Sequence, residues 1–132
     1  MDLLAPKVLL AAAVLALGSS PVAQVTATIR AETRAFNARH WQALWNLQTP
    51  RYRATCSYTK FVAAERRFRA ATGTVTTTNI HIRVVSAKRA VADYVLVTQS
   101  HLRVHDRGDV YAKVGSRWLD DLDEPFKLGC GY

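Results

Sequence analysis

The sequence predicts an α+β fold, with N-terminal helices packed on the concave face of a curved antiparallel sheet. Two observations carry this. Residues 25–72 place apolar side chains at helical spacing, and from Thr74 onward the period changes to two, with turn signals at short intervals. Helices followed by a run of strands is the order expected when helices cover one face of a single sheet. At 132 residues, 49% hydrophobic, the chain has room for one core.

The elements follow in order. Residues 1–23 read as a secretory signal peptide or an N-terminal anchor. Lys7 precedes the apolar run 8–17, and small residues Gly18, Ser19 and Ser20 follow. The run is short of the roughly 20 residues that span a bilayer. Cleavage fits after Gly18 and, less well, after Ala23. Residues 24–132 then form one domain outside the cytoplasm, secreted or at the cell envelope. Cys56 and Cys130 are an even pair in an exported chain and are expected to form a disulfide, stabilising by about 4 kcal/mol in the chain-entropy model. Two buried free thiols are the alternative.

A helix is expected from Val25 to Leu47. Val25, Ile29, Thr33, Phe36, His40, Ala43, Leu44 and Leu47 fall on one stripe. Thr49-Pro50 ends it and starts the next turn, because Thr caps and Pro is tolerated at the first helical position. A second long helix should run from Thr59 to Thr72, with Phe61, Ala64, Phe68 and Ala71 on its apolar side and Gly73 as its C-terminal cap. Ile80, Ile82 and Val84 alternate as a strand and Ser86–Arg89 is a weak turn. Residues 90–105 form one long strand or two joined at a bulge. Asp106–Asp109 reads as a hairpin turn, and Gly115-Ser116 as a two-residue hairpin turn before Trp118.

The order of helix, Thr-Pro break, helix and strands, ending in Gly115, Arg117, Trp118 and Leu119, resembles the nuclear transport factor 2-like superfamily over about residues 25–124. That superfamily includes polyketide cyclase-like and ketosteroid isomerase-like members. The resemblance implies a conical cup with an apolar pocket between helices and sheet. It also implies a carboxylate, or a Tyr with a carboxylate, inside the cup of catalytic members. Asp93, Asp120, Asp121, Tyr58, Tyr94 and Tyr111 are the residues to consider, and Asp120 shares the predicted face of Trp118 and Leu122. No catalytic pattern maps residue by residue, so the first expectation is a non-catalytic cup that binds a small apolar ligand or an envelope protein. The alternative is an isomerase- or cyclase-type enzyme with His40 or Asp120 as base.

Phe36, His40, Phe61 and Trp118 are the expected ligand-binding residues. His40 on an apolar stripe is either a base or ligand-orienting group, or a buried imidazole satisfied by one hydrogen bond. No metal or cofactor is expected: His101 and His105, four apart on a strand, are about 13 Å apart, and no metal or phosphate-binding motif occurs. The net charge of +8 favours anionic partners. Its densest feature is Arg51, Arg53, Lys60, Arg66, Arg67 and Arg69, which reads as a dock for an anionic surface or as a solvated face. Export argues against nucleic acid. A homodimer through the sheet's outer face is a further expectation.

Overall fold

The computed structural model describes residues 19–122. Four helices precede a four-stranded antiparallel meander. They are α1 (Pro21–Asn37), α2 (Trp41–Asn46), α3 (Pro50–Arg53) and α4 (Tyr58–Thr72); the strands are β1 (Val75–Ser86), β2 (Arg89–Thr98), β3 (Arg103–Val114) and β4 (Arg117–Asp120), in that order across the sheet. The α+β class and the helical cover of a curved, unclosed sheet are as the sequence predicts. Residues 1–18 of the expected signal or anchor segment 1–23, and Cys130, lie outside the described residues, so neither that expectation nor the Cys56–Cys130 pairing is described. Of the two cleavage positions, Ala23 falls in the first turn of α1, where its N–H donates to the capping Ser20 hydroxyl (3.1 Å).

α1 lies diagonally across the sheet. Near its middle the Thr28 hydroxyl donates to the Trp118 carbonyl of β4 (2.7 Å). Near its end Thr33 and Thr77 of β1 share a 2.6 Å hydroxyl contact. Val25 and Ile29 pack with Ala90, Ala92, Tyr111 and Trp118 in one cluster. Phe36 belongs to another, with Trp41, Leu44, Phe61 and Val75. The sequence-predicted stripe is thus shared between two cores, and Trp118 and Phe36 belong to different ones.

The continuous helix 25–47 is corrected to two helices. The first helix ends at Asn37, whose side chain pairs with the backbone of β1. Its side-chain Nδ2 donates to the Val75 carbonyl and its Oδ1 accepts from the Val75 N–H, both at 2.8 Å. Arg39 then turns at φ 58°, and α2 starts in a new direction. His40, placed inward on an unbroken helix, is instead the exposed residue before α2. Downstream, Thr49 caps α3 by accepting the Tyr52 N–H (3.1 Å), with Pro50 at its first position, and Gly73 caps α4 at φ 68°. Residues 47–49 run beside β4. Thr49 N–H donates to the Asp120 carbonyl (2.8 Å) and Asp120 N–H to the Leu47 carbonyl (2.9 Å), which protects that sheet edge.

The strand region differs from expectation in one informative place. Asp106–Asp109 is no turn but a bulge inside β3. The chain reverses earlier, at 99–102, where the Thr98 N–H donates to the Leu102 carbonyl (2.9 Å) and His101 takes φ 68°. Between β2 and β3, Ala92 pairs with Asp109 and Tyr94 with Asp106, so four residues of β3 face three of β2. Gly108 carries the required positive φ of 72°, and its N–H donates to the Asp93 carboxylate (2.7 Å). On the other side of β2, Thr78 pairs with Val95 and His81 with Asp93, so β1 also gains a residue, with Asn79 at φ 53°. Both bulges sit at the same level of β2, and bulges are where strands bend and twist.

Asn37→Ala removes both partners of the half-buried Val75 backbone and is expected to cost about 2 to 3 kcal/mol; denaturant unfolding at neutral pH measures it.

Candidate functional site

Between the two core clusters lies a cavity of about 430 Å³. Ile29, Phe36, Leu44, Phe61, Phe68 and Leu96 form much of its apolar wall. Its aromatic side is held by tilted and edge-on contacts: Phe36 with Phe68 at 5.5 Å and Tyr52 with Phe61 at 6.3 Å between ring centroids. The rest of the lining is polar to a degree that an apolar cup does not require. Glu32, Glu65, Asp106, Asp109, Asp120 and Asp121 all line it. These are six of the ten acidic residues in a chain of net charge +8.

Local structure explains how each arrives. Glu32 lies three residues after Ile29 and four before Phe36, on the buried side of α1. Glu65 lies four after Phe61 and three before Phe68 on α4. Asp109 and Tyr111 are two apart on β3 and face the same way. Asp106 and Asp109 are three apart and would face opposite ways on a regular strand; the extra residue of the Gly108 bulge turns both inward. Asp120 pairs with Tyr111 across β3 and β4 and shares its face.

Tyr94, Asp109, Tyr111, Glu32 and Asp120 form a continuous hydrogen-bonded chain. The Tyr94 hydroxyl donates to Asp109 Oδ2 at 2.7 Å. The Tyr111 hydroxyl lies 3.1 Å from the same oxygen and 2.8 Å from Glu32 Oε1. The Glu32 and Asp120 carboxyls hydrogen-bond each other, and Gln48 Nε2 reaches Glu32 Oε2 at 3.4 Å. A carboxyl–carboxyl hydrogen bond needs a proton on one partner, since ionised carboxylates only accept. Burial pushes the Glu32 carboxyl above its ordinary 4.5, and the nearby Asp106 charge adds to this, against the hydrogen bonds from Asp120, Tyr111 and Gln48. Burial, with Asp109, Glu32 and Asp120 around them, also raises Tyr94 and Tyr111, so both stay protonated donors at neutral pH. Tyr52 is raised by burial and by the charges of Asp120, Glu65, Glu32 and Asp109.

Asp121 behaves in the opposite way. Burial alone would raise it. Hydrogen bonds from Arg51, Thr49 and the Leu122 N–H outweigh that and hold it below the usual 3.8. Arg51 grips it with two nitrogens, at 3.2 and 2.8 Å, and the Thr49 hydroxyl donates at 2.7 Å. Two neighbouring carboxyls, Asp120 and Asp121, are thereby driven into different roles: one shares a proton, the other is a fixed anion. Among the described residues no three His, Cys, Asp or Glu side chains are arranged to hold a metal ion.

The sequence-predicted ligand residues divide accordingly. Phe36 and Phe61 line the cavity, Trp118 lies in the adjoining core, and His40 is exposed at the helix break. Of the polar set, Tyr94, Asp120 and Asp121 line the cavity, and Tyr111 joins them through Glu32 and Asp109. Asp93 faces outward to hold the bulge, and Tyr58 is exposed against Trp45. Sequence reasoning missed Glu32 and Glu65, although an acid within an apolar helical stripe is itself a signal. It missed Asp106 and Asp109 because the bulge was read as a turn. Of the six basic residues weighed as a dock, Arg51 is engaged by Asp121, and an Arg69 nitrogen lies 3.4 Å from the Asn37 carbonyl; Lys60, Arg66 and Arg67 are exposed.

Two pH dependences of opposite sign follow. Glu32 is raised in the folded chain, so its stabilising contribution is complete below pH 4.5 and is lost as pH rises through its folded value. Glu32→Gln is expected to raise the melting temperature at neutral pH by several degrees, with the gain vanishing in acid. Asp121 is lowered, so its contribution is present above pH 3.8 and lost as pH falls. Asp121→Asn is expected to cost about 1 to 2 kcal/mol at neutral pH, converging on the parent in acid. Thermal and denaturant unfolding across pH test both.

Comparison with protein-family models and with curated proteins returned no match for this chain.

Proposed function

We propose that the cup binds a small molecule with a mainly apolar body and transfers a proton on it, as an isomerase- or cyclase-type enzyme does. What carries this reading is the meeting of the Glu32 and Asp120 carboxyls beside the Tyr94 and Tyr111 hydroxyls, set in a cavity of ligand size. A pair that holds one proton offers a base and an acid at the same place. In this reading Asp120 or Glu32 removes a proton from the substrate and its partner returns one. Tyr94 and Tyr111, kept protonated, are the donors that stabilise developing negative charge, and Asp109 orients them. Phe36, Phe61 and Phe68 hold the apolar body.

The reading departs from the non-catalytic expectation because catalysis there lacked an acid–base pair. It is compatible with membership of the nuclear transport factor 2-like superfamily, which the order of elements favours. It also keeps the chain at the cell envelope, on the strength of Lys7 and the apolar run 8–17.

A panel of small apolar ketones in deuterated water tests it, with exchange at the carbon beside the carbonyl followed by NMR. Exchange is expected for ketones that raise the melting temperature. It should fall about 100-fold or more in Asp120→Asn and in Glu32→Gln, both still folded by circular dichroism. Ketones that bind without exchange would reduce the reading to a binding cup.

A further inference from the structure

The arrangement that puts acids inside leaves bases outside. Among the described residues Asp93 is the only acidic residue that does not line the cavity, and its carboxylate is tied to the Gly108 N–H. The basic residues are spread over the exterior. At the end of the sheet where the β1–β2 and β3–β4 hairpins turn, several of them surround three exposed valines.

The register brings the two hairpins together. Ser86 pairs with Arg89, Arg89 with Ala112, and Val114 with Arg117; the Lys113 N–H donates to the Lys88 carbonyl (2.9 Å). Four adjacent strands make this edge about 15 Å wide. Val84, Val85 and Val114 are 41%, 49% and 40% exposed there. Arg83, Lys88, Lys113 and Arg117 are exposed among them, and Arg89 is half-buried.

We propose that this end of the sheet docks on an anionic lipid bilayer. Charge complementarity and apolar exposure select that partner together. Lys and Arg near a negative membrane surface attract it, while their aliphatic stems let neighbouring valines enter the headgroup layer. A nucleic acid would use the charges but not the valines, and residues 83–89 and 113–117 contain no aromatic ring on which a base stacks. The docking surface lies apart from the cavity lining and stands independently of the proposed proton transfer.

Co-sedimentation of the full chain with phosphatidylcholine vesicles, with and without phosphatidylglycerol, tests the proposal at low and high salt. Binding should be tighter on the anionic vesicles, and the difference should shrink at high salt. The triple variant Lys88→Gln, Lys113→Gln, Arg117→Gln should lose roughly 100-fold of the anionic-vesicle affinity. Val85→Ser with Val114→Ser, which leaves the charge unchanged, should weaken it several-fold. Arg66→Gln with Arg67→Gln on α4 should leave it within about twofold. Circular dichroism and melting temperatures establish that each variant is folded. Equal binding to both vesicle types would overturn the proposal, as would retention of affinity by the triple variant or loss of it in the α4 variant. So would valine variants that bind like the parent while the chain binds duplex DNA more tightly than vesicles.

Discussion

Asn79 and Gly108 stand on either side of β2 at the same level, and each adds one residue to its strand. The insertions bend the sheet, which makes room beneath α1. They also shift side-chain parity, because each strand alternates faces and an extra residue exchanges them. In β3 the shift turns Asp106 inward together with Asp109 and Tyr111. Without it the cavity would lose an acid and the sheet much of its bend. Asp93 fixes the β3 bulge from the outer face by accepting the Gly108 N–H.

Collecting six carboxylates in one cavity is costly, since charge is expensive to bury and like charges repel. The chain meets that cost in three ways. Glu32 and Asp120 share a proton. Tyr94 and Tyr111 place their hydroxyls on Asp109. Arg51 and Thr49 hold Asp121 as an anion. A core of the same volume lined with leucine would be more stable, and locally unfavourable polar groups of this kind are characteristic of functional sites. The same separation leaves the exterior strongly basic, so the cavity and the outer surface address different chemistries. The two proposals are placed accordingly.

The elements whose signals are local were legible in the sequence. Thr49-Pro50 starts a helix because Thr satisfies a free N–H and Pro has none to lose. Gly73 closes α4, and Gly115 at φ 62°, followed by Ser116 outside the left-handed region, opens the last hairpin. Phe36 and Phe61 reached the cavity because helical period places them there. His40 did not, since its place depended on a helix that ends at Asn37. The turn at 99–102 escaped notice because Gln99-Ser100-His101 lacks glycine and proline, while Asp-Arg-Gly-Asp has the composition of a turn and is used as a bulge. Both segments permit a reversal, and only strand pairing selects between them.

Composition and period by themselves therefore determined the α+β class, the helical cover, most caps and the apolar wall of the cup. Tertiary structure decided where α1 ends, which face each β3 residue shows and which carboxyls meet. The physical reason is range. Caps and amphipathic period act within a turn or two of chain, whereas the Asn37–Val75, Asp93–Gly108 and Glu32–Asp120 contacts join residues far apart in sequence, and their partners exist only once the sheet has formed.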